Sequence, residues 1–313
     1  MKSICQTMMA CTLAFPVAAA DLGHSDAPIK LGLGEQIGAQ ITAHVAGEML
    51  TVAGYKVEYV PVEDIAIFRQ MDRGLIDAAL EIWPANAAPS FRDLTLERKI
   101  ETLGELGLIA TEGLAYPAHM EARCPGLPAW EALRDCAAAF ETDGVALVLD
   151  YPAEWEGPAT DLIKALDLPF TVTPATSEAD LVEALVTAST DGTPALAMFW
   201  RPHWAVAAHD LRFVTLPEAE AACFEDPAWG PNPAAVGDCG FPALNTVKSL
   251  VAGFKTKWPA AYFLLKDFQM TAETQETLMI AVERDGATPA EAAATWVADN
   301  EDIWRPLIES ATN

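Results

Sequence analysis

From Ile29 onward, short apolar runs alternate with stretches in which apolar residues recur at helical spacing. Ile29-Lys30-Leu31-Gly32-Leu33 reads as a strand, followed by the turn Gly34-Glu35-Gln36. Ile41, Val45, Met49 and Val52 then fall on one face of a helix over 37–52, which stops near Gly54. Tyr55 to Val60 predicts the next strand, Ile65 to Asp72 a helix ending at Gly74, and Leu75 to Trp83 a strand broken by Pro84. In mid-chain, Val145 to Leu149 forms a short buried strand pattern, with a loop from Asp150 to Gly157. Pro158 suits the first turn of a helix through Leu166. Ala195 to Trp200 is another strand, ended by Arg201-Pro202. From Ala243 the remainder reads as mostly helical, with Trp296 and Trp304 near one face if the helix continues. This alternation predicts βαβ units and a parallel sheet covered on both faces. With no internal repeat and no low-complexity linker, two α/β domains with the chain crossing between them fit best.

Composition narrows the setting. At 313 residues, 51% hydrophobic and 20% charged, the chain is globular and long enough for two cores. Its 45 acidic residues against 19 basic ones set a formal net charge of −26. That acidity argues against nucleic acid and anionic lipid as partners and fits a well-solvated exported surface. The first twenty residues read as an export signal: Lys2, a mostly apolar stretch from Ile4 to Phe15, and the small-residue site Ala18-Ala19-Ala20 before Asp21. Met8-Met9-Ala10 is a poor lipoprotein box for Cys11, so cleavage near Ala20 and release into the periplasm are expected. No later apolar run is long enough to span a bilayer.

Export brings an oxidising compartment. Cys5 and Cys11 leave with the signal, and the remaining cysteines form two local couples in Pro- and Gly-rich stretches. Cys124–Cys136 and Cys223–Cys239 are therefore the economical disulfides. Neither CxxC nor a Cys/His finger spacing is present, so no metal is expected there. Asp226, Asn232 and Asp238 could offer oxygens to calcium, but they lack EF-hand spacing and are read as solvated loop residues.

Ligands of open parallel sheets bind beyond the carboxyl ends of strands. Trp83 closes one predicted strand, Trp155 sits in the loop after another, and Trp200 closes a third. An indole face suits a cation that cannot donate hydrogen bonds, so three converging rings suit a trimethylammonium group. His203, three residues past Trp200, could donate to a carboxylate, as could backbone N–H groups near Gln36 and Ile37. Gly32, Gly34 and Gly38 approach a dinucleotide fingerprint, but the third glycine is one position late. No GxSxG, HExxH or P-loop is present. An enzyme reading therefore reduces to a secreted hydrolase with an unrecognised site.

Several of these segments also carry a family resemblance. Gly74-Leu75-Ile76-Asp77-Ala78 through Trp83-Pro84 is one, and the stretch from Cys223 to Gly240 another. The most specific is Phe199-Trp200-Arg201-Pro202-His203-Trp204, running on to His209-Asp210-Leu211-Arg212-Phe213. Over about residues 28 to 308 the chain resembles the substrate-binding proteins of glycine-betaine-type ABC importers. The resemblance implies the α/β type II periplasmic-binding fold, with lobe I over 28–112 and 205–313, lobe II over 113–204, and a ligand cleft between them. It implies cage roles for Trp83, Trp155 and Trp200 around the ammonium of a glycine-betaine-like solute. His203 and the amides near Gln36 and Ile37 would hold its carboxylate. A transmembrane permease is the implied partner, with no cofactor and a monomeric state. Choline, carnitine, trimethylamine N-oxide and sulfonium analogues stay open as ligands. Glu154 and Glu156, flanking Trp155, favour the less anionic ones.

Overall fold

One long central strand, flanked on both sides by shorter ones, organises everything else. The structure, a computed structural model, describes residues 22–312 except 24, 64–65, 85–86 and 88. The export signal and its cleavage site lie outside the described residues. The first four strands are β1 (Ile29–Leu33), β2 (Val57–Pro61), β3 (Ala78–Ile82) and β4 (Ile100–Pro117). Next come β5 (Pro125–Pro128), β6 (Glu141–Thr142), β7 (Val145–Asp150) and β8 (Thr171–Pro174). The last three are β9 (Ala197–Arg201), β10 (Leu211–Phe213) and β11 (Leu244–Val251). Ten of them, all but β5, form one sheet in the order β2-β1-β3-β11-β4-β9-β7-β6, with β10 on β4 and β8 on β7.

The expected parallel pairing holds at the flanks, where β1 pairs with β2 and β3, and β7 pairs with β8 and β9. The middle is antiparallel instead, because β11 pairs with β3 and β4, and β4 pairs with β9. β4 serves both halves: residues 100–110 face β11, while Thr111 to Ala115 face β9. Its register shifts against β11, and Gly104 and Gly107 sit at φ of 105° and 100° there. Only glycine adopts that backbone at little cost, and bulges of this kind bend and twist the strand they interrupt. The sheet thus curls instead of lying flat.

The segment after Ala243 begins with β11 and is not helical throughout. Its camouflage is polar: Thr246, Lys248 and Ser249 are all buried. Lys248 is tolerated because its ammonium donates to the carbonyls of Lys266 and Phe268, at the C-terminal end of the helix Pro259–Asp267. A cation there complements the helix dipole. Burial still lowers its pKa to about 8.

Two large apolar cores lie on either side of β4, besides a smaller cluster around Phe68, Met71, Ile76 and Ile82. One joins Ile29, Leu31, Ile41, Val45 and Met49 to Leu250, Trp258, Val297 and Trp304. The other joins Leu114, Phe140, Val148, Leu162, Leu185 and Phe199 to Val214. Each fully buried large apolar side chain contributes about 1.5–3 kcal/mol, so each lobe has its own source of stability. Ala205, Val206, Leu211 and Val214, just past the 113–204 span, pack in the second core. The physical reason is β10, which pairs with the lobe II half of β4.

Within lobe I, the helix Ile37–Val52 buries Ile41, Val45 and Met49 as its periodicity predicts, while Val52 at its end is exposed. Trp296 and Trp304 do not share one continuous helix. Pro289–Asp299 and Glu301–Thr312 are separate helices, and Trp304 Nε1 folds back onto the Val297 carbonyl. Both cysteine couples are bonded, with Cα separations of 5.4 and 6.4 Å. In the loop closed by the second disulfide, Asp238 is buried and accepts from the Asn232 amide at 2.6 Å. That corrects the solvated reading of this residue: Asp238 holds the loop's shape. Among the described residues, no helix is long and apolar enough to cross a membrane.

Candidate functional site

The two lobes meet at a cleft beyond the carboxyl ends of β3 and β9. Lobe I contributes Gln36, Ile37, Gly38, Glu81, Trp83 and Gln275. Lobe II contributes Glu178, Trp200, Pro202 and His203. The free space between them is about 10 Å³, close to what a single water needs. A ligand larger than that enters only if the lobes part or the rings swing aside.

Trp200 is the hub of the aromatic side. Its ring centroid lies 5.7 Å from Tyr151, 5.8 Å from Trp155 and 5.1 Å from His203, all edge to face. Phe199 lies 4.7 Å away on the same strand. Edge-to-face contacts are the favoured geometry for aromatic pairs, so these rings hold one another's orientation. Trp155 is 39% exposed, the most open ring of this group, whereas Trp200 is 8% exposed. Trp83 approaches from lobe I and packs against the lobe II core. Five of the six residues singled out from the sequence (Gln36, Ile37, Trp83, Trp200 and His203) thus line one cleft, and Trp155 stacks on the edge of Trp200.

The loop carrying Trp155 is staked by one buried carboxylate. Asp150, the last residue of β7, accepts from the amides of Tyr151 at 2.8 Å and Ala159 at 3.1 Å. Gly157 lies so close that a Cβ there would sit 2.2 Å from Asp150 Oδ1. Burial raises the Asp150 pKa, against the two amide bonds that lower it. Tyr151 is anchored in turn, its hydroxyl donating to Glu112 at 3.0 Å. Burial, and then the nearby Glu112 charge, push its pKa well above the ordinary value, so it stays a neutral donor. Burial also raises the Glu112 pKa, with the Tyr151 hydrogen bond opposing.

His203 caps the helix Trp204–Ala208. Its Nδ1 accepts from the Ala205 amide at 3.1 Å, which places the proton of the neutral ring on Nε2. Nε2 lies 3.9 Å from Glu178 Oε1. The backbone N–H of His203 donates to Glu276, a lobe I carboxylate whose pKa burial raises.

Lobe I builds its side from hydrogen bonds. Glu81 Oε2 accepts from Thr42 Oγ1 at 2.8 Å and Gln275 Nε2 at 2.7 Å, and Oε1 accepts from Trp83 Nε1 at 3.3 Å. Gln275 Nε2 also donates to Thr42 Oγ1 at 3.1 Å. Gly38 opens the helix Ile37–Val52 toward this network, where a Cβ would meet Met279 Cε at 2.8 Å. The glycines that mimicked a dinucleotide fingerprint are thus at least partly packing residues.

Tyr151, Glu81, Glu178 and Gln275 are the site residues that sequence reasoning missed. Two had a signal. Tyr151 follows β7 at the same kind of strand end as the tryptophans, and Glu81 is two residues before Trp83, hence on the same face of the strand. Glu178 and Gln275 reach the cleft from helices remote in sequence and had none.

The chain is similar to known proteins in sequence and in fold. Residues 27–299 match the substrate-binding domain of the ABC-type glycine betaine transport system. The chain is 28% identical over 280 residues to the trimethylamine N-oxide-binding protein of Pelagibacter ubique, covering 86% of this chain and 87% of that one. The structure of lactococcal OpuAC, closed on glycine betaine, superposes with a TM-score of 0.66 at 18% identity, over 91% of this chain and 99% of that one. A choline-binding protein in complex with choline superposes with a TM-score of 0.63 at 19% identity, over 90% and 92% of the two chains. These likenesses establish a two-lobed type II periplasmic-binding fold. The match over nearly the whole described chain settles the family: the protein belongs to the substrate-binding domains of ABC-type glycine betaine transport systems.

Proposed function

We propose that this protein captures a small methylated onium solute of the glycine betaine and choline class in an aromatic cage and delivers it, in the periplasm, to the permease of an ABC importer. Trp83, Trp155 and Trp200 form the cage, joined by Tyr151. The observation that carries this reading is the Trp200 hub, where four aromatic neighbours fix one indole at the mouth of the interlobe cleft. Indole faces attract a cation by about 2 kcal/mol or more once water is excluded. The nearly closed cleft supplies that exclusion. Trimethylamine N-oxide, named for the Pelagibacter relative, and carnitine present the same methylated head. The protein is read as a monomer whose lobes part and close around the ligand without chemistry.

Charge and shape are separated by a pair of isosteres. Choline and its carbon analogue, in which a tert-butyl group replaces trimethylammonium, share size and hydroxyl and differ in the cation. Calorimetry should show choline tighter by at least about 2 kcal/mol, which is more than tenfold. Equal affinity for the two would mean a merely apolar pocket.

A further inference from the structure

The far side of the cleft from the rings is made of hydrogen-bond acceptors, and it bears on the ligand's tail. Glu81 and Glu178 enter from opposite lobes, and among the described residues no lysine or arginine lines the cleft. Glu276 accepts from the His203 N–H, with the Arg201 charge acting on it. Gln275, itself completely buried, commits its Nε2 to Glu81 and Thr42, so its Oε1 is turned the other way. Exchanging the amide atoms would set that oxygen against the Glu81 carboxylate, acceptor to acceptor. Gln275 Oε1 has no hydrogen-bond partner among the described residues. A buried acceptor left in that state is costly, and a donor on the ligand would relieve it.

One feature pulls the other way. The first turn of the helix Ile37–Val52 reaches the cleft, and a helix N-terminus favours an anion by about half a charge. Two carboxylate side chains, one from each lobe, stand against that half charge in the same cleft. His203 does not reverse the balance, because its Nε2 already faces Glu178.

We propose that the cleft selects a methylated onium ligand whose tail donates a hydrogen bond and carries no anionic charge, as the hydroxyl of choline does, with Gln275 Oε1 and Glu81 as its acceptors. This rests on the onium reading above and narrows it. Glycine betaine would bring its carboxylate against Glu81 and Glu178, a like-charge contact that specific interfaces use to reject wrong partners.

Three probes separate the tail from the head: choline, glycine betaine and tetramethylammonium, titrated calorimetrically into the protein. Choline should bind at least about tenfold tighter than glycine betaine, with tetramethylammonium between them. Glu81→Gln keeps the size and most of the hydrogen bonding while removing the charge, and should bring the choline-to-betaine ratio down toward one. Glu178→Gln should move it the same way and serves if the first variant does not fold; the wild-type ratio decides in either case. Glycine betaine binding as tightly as choline, with tetramethylammonium also bound, overturns the tail rule and leaves the cage standing. Failure of all three to bind overturns the onium reading itself and this inference with it.

Discussion

The two lobes contribute to one cleft by different physical means. Lobe II supplies rings whose positions are set by mutual packing, with Trp200 at the centre and Asp150 staking the loop beneath Trp155. Lobe I supplies polar groups held by side-chain hydrogen bonds among Thr42, Glu81, Trp83 and Gln275. Packed rings are indifferent to the tail of a ligand but sensitive to the charge and volume of its head. A hydrogen-bonded brace is the reverse, because each acceptor has a direction and a demand for a donor. Perturbing lobe II should therefore weaken every onium ligand together, and perturbing lobe I should reorder them.

The largest expected effect tests the first half of that division. Trp200→Ala removes the hub and should weaken choline and tetramethylammonium alike, by about a hundredfold. Removing a buried tryptophan also costs about 3–5 kcal/mol of stability, so Trp200→Phe provides a folded comparison with a smaller loss. A loss confined to choline would mean that the hub reads the tail, and the division between lobes would fail.

Gly157→Ala acts on the same lobe without touching a ring. The new Cβ would displace the Asp150 carboxylate and weaken its bonds to Tyr151 and Ala159. Each buried amide left unpaired costs about 1–3 kcal/mol. Urea titration should show that destabilisation, and calorimetry should show a roughly tenfold loss of onium affinity as Trp155 loses its stake. Full affinity would show that Trp155 is dispensable to the cage.

These elements also show what was legible beforehand and why. The strand Ile29–Leu33, the helix Ile37–Val52 and both cysteine couples follow from apolar spacing and local chemistry, and they stand at the expected positions. Trp83 and Trp200 stand at the cleft because they sit at strand ends, a rule of topology more than of sequence. β4 and β11 were not read as strands. Glycines and glutamates interrupt the one, and a buried lysine, threonine and serine interrupt the other. They pair with each other across more than a hundred residues, so the tertiary pairing that makes them strands leaves no local period. Gln275 escaped for the same reason: its importance comes from Glu81 and Thr42, which are distant in the chain.

Acidity tests both lobes at once. Burial raises the pKa of Asp77 in lobe I and of Asp150 in lobe II above 3.8, and those of Glu112 and Glu276 above 4.5. A carboxyl whose folded pKa is raised binds its proton more readily folded than unfolded. Its stabilising contribution is complete below the unfolded value and is lost as the pH rises through the raised one. Thermal midpoints should therefore increase by a few degrees as the pH is lowered from neutrality toward the raised values. Relief of repulsion in a chain of net charge −26 acts in the same direction. Asp77→Asn and Asp150→Asn should each flatten the slope; a change in only one would assign the buried-acid cost to a single lobe.

The smallest expected effect is also the one that separates the lobes most finely. Thr42 touches no ring: its hydroxyl donates to Glu81 Oε2 and accepts from Gln275 Nε2, so it braces the two groups that face the tail. Thr42→Val keeps the shape and removes both bonds. Glu81 and Gln275 still hold each other at 2.7 Å, so the brace should loosen without collapsing, at a cost of about 1 kcal/mol in stability. Choline affinity should fall roughly threefold, because its hydroxyl meets acceptors that now sample more than one position. Tetramethylammonium has no tail and should bind as before. A parallel loss for both ligands would show that the brace acts by positioning Trp83, which shares Glu81 as a partner, and lobe I would then belong to the cage as much as lobe II does.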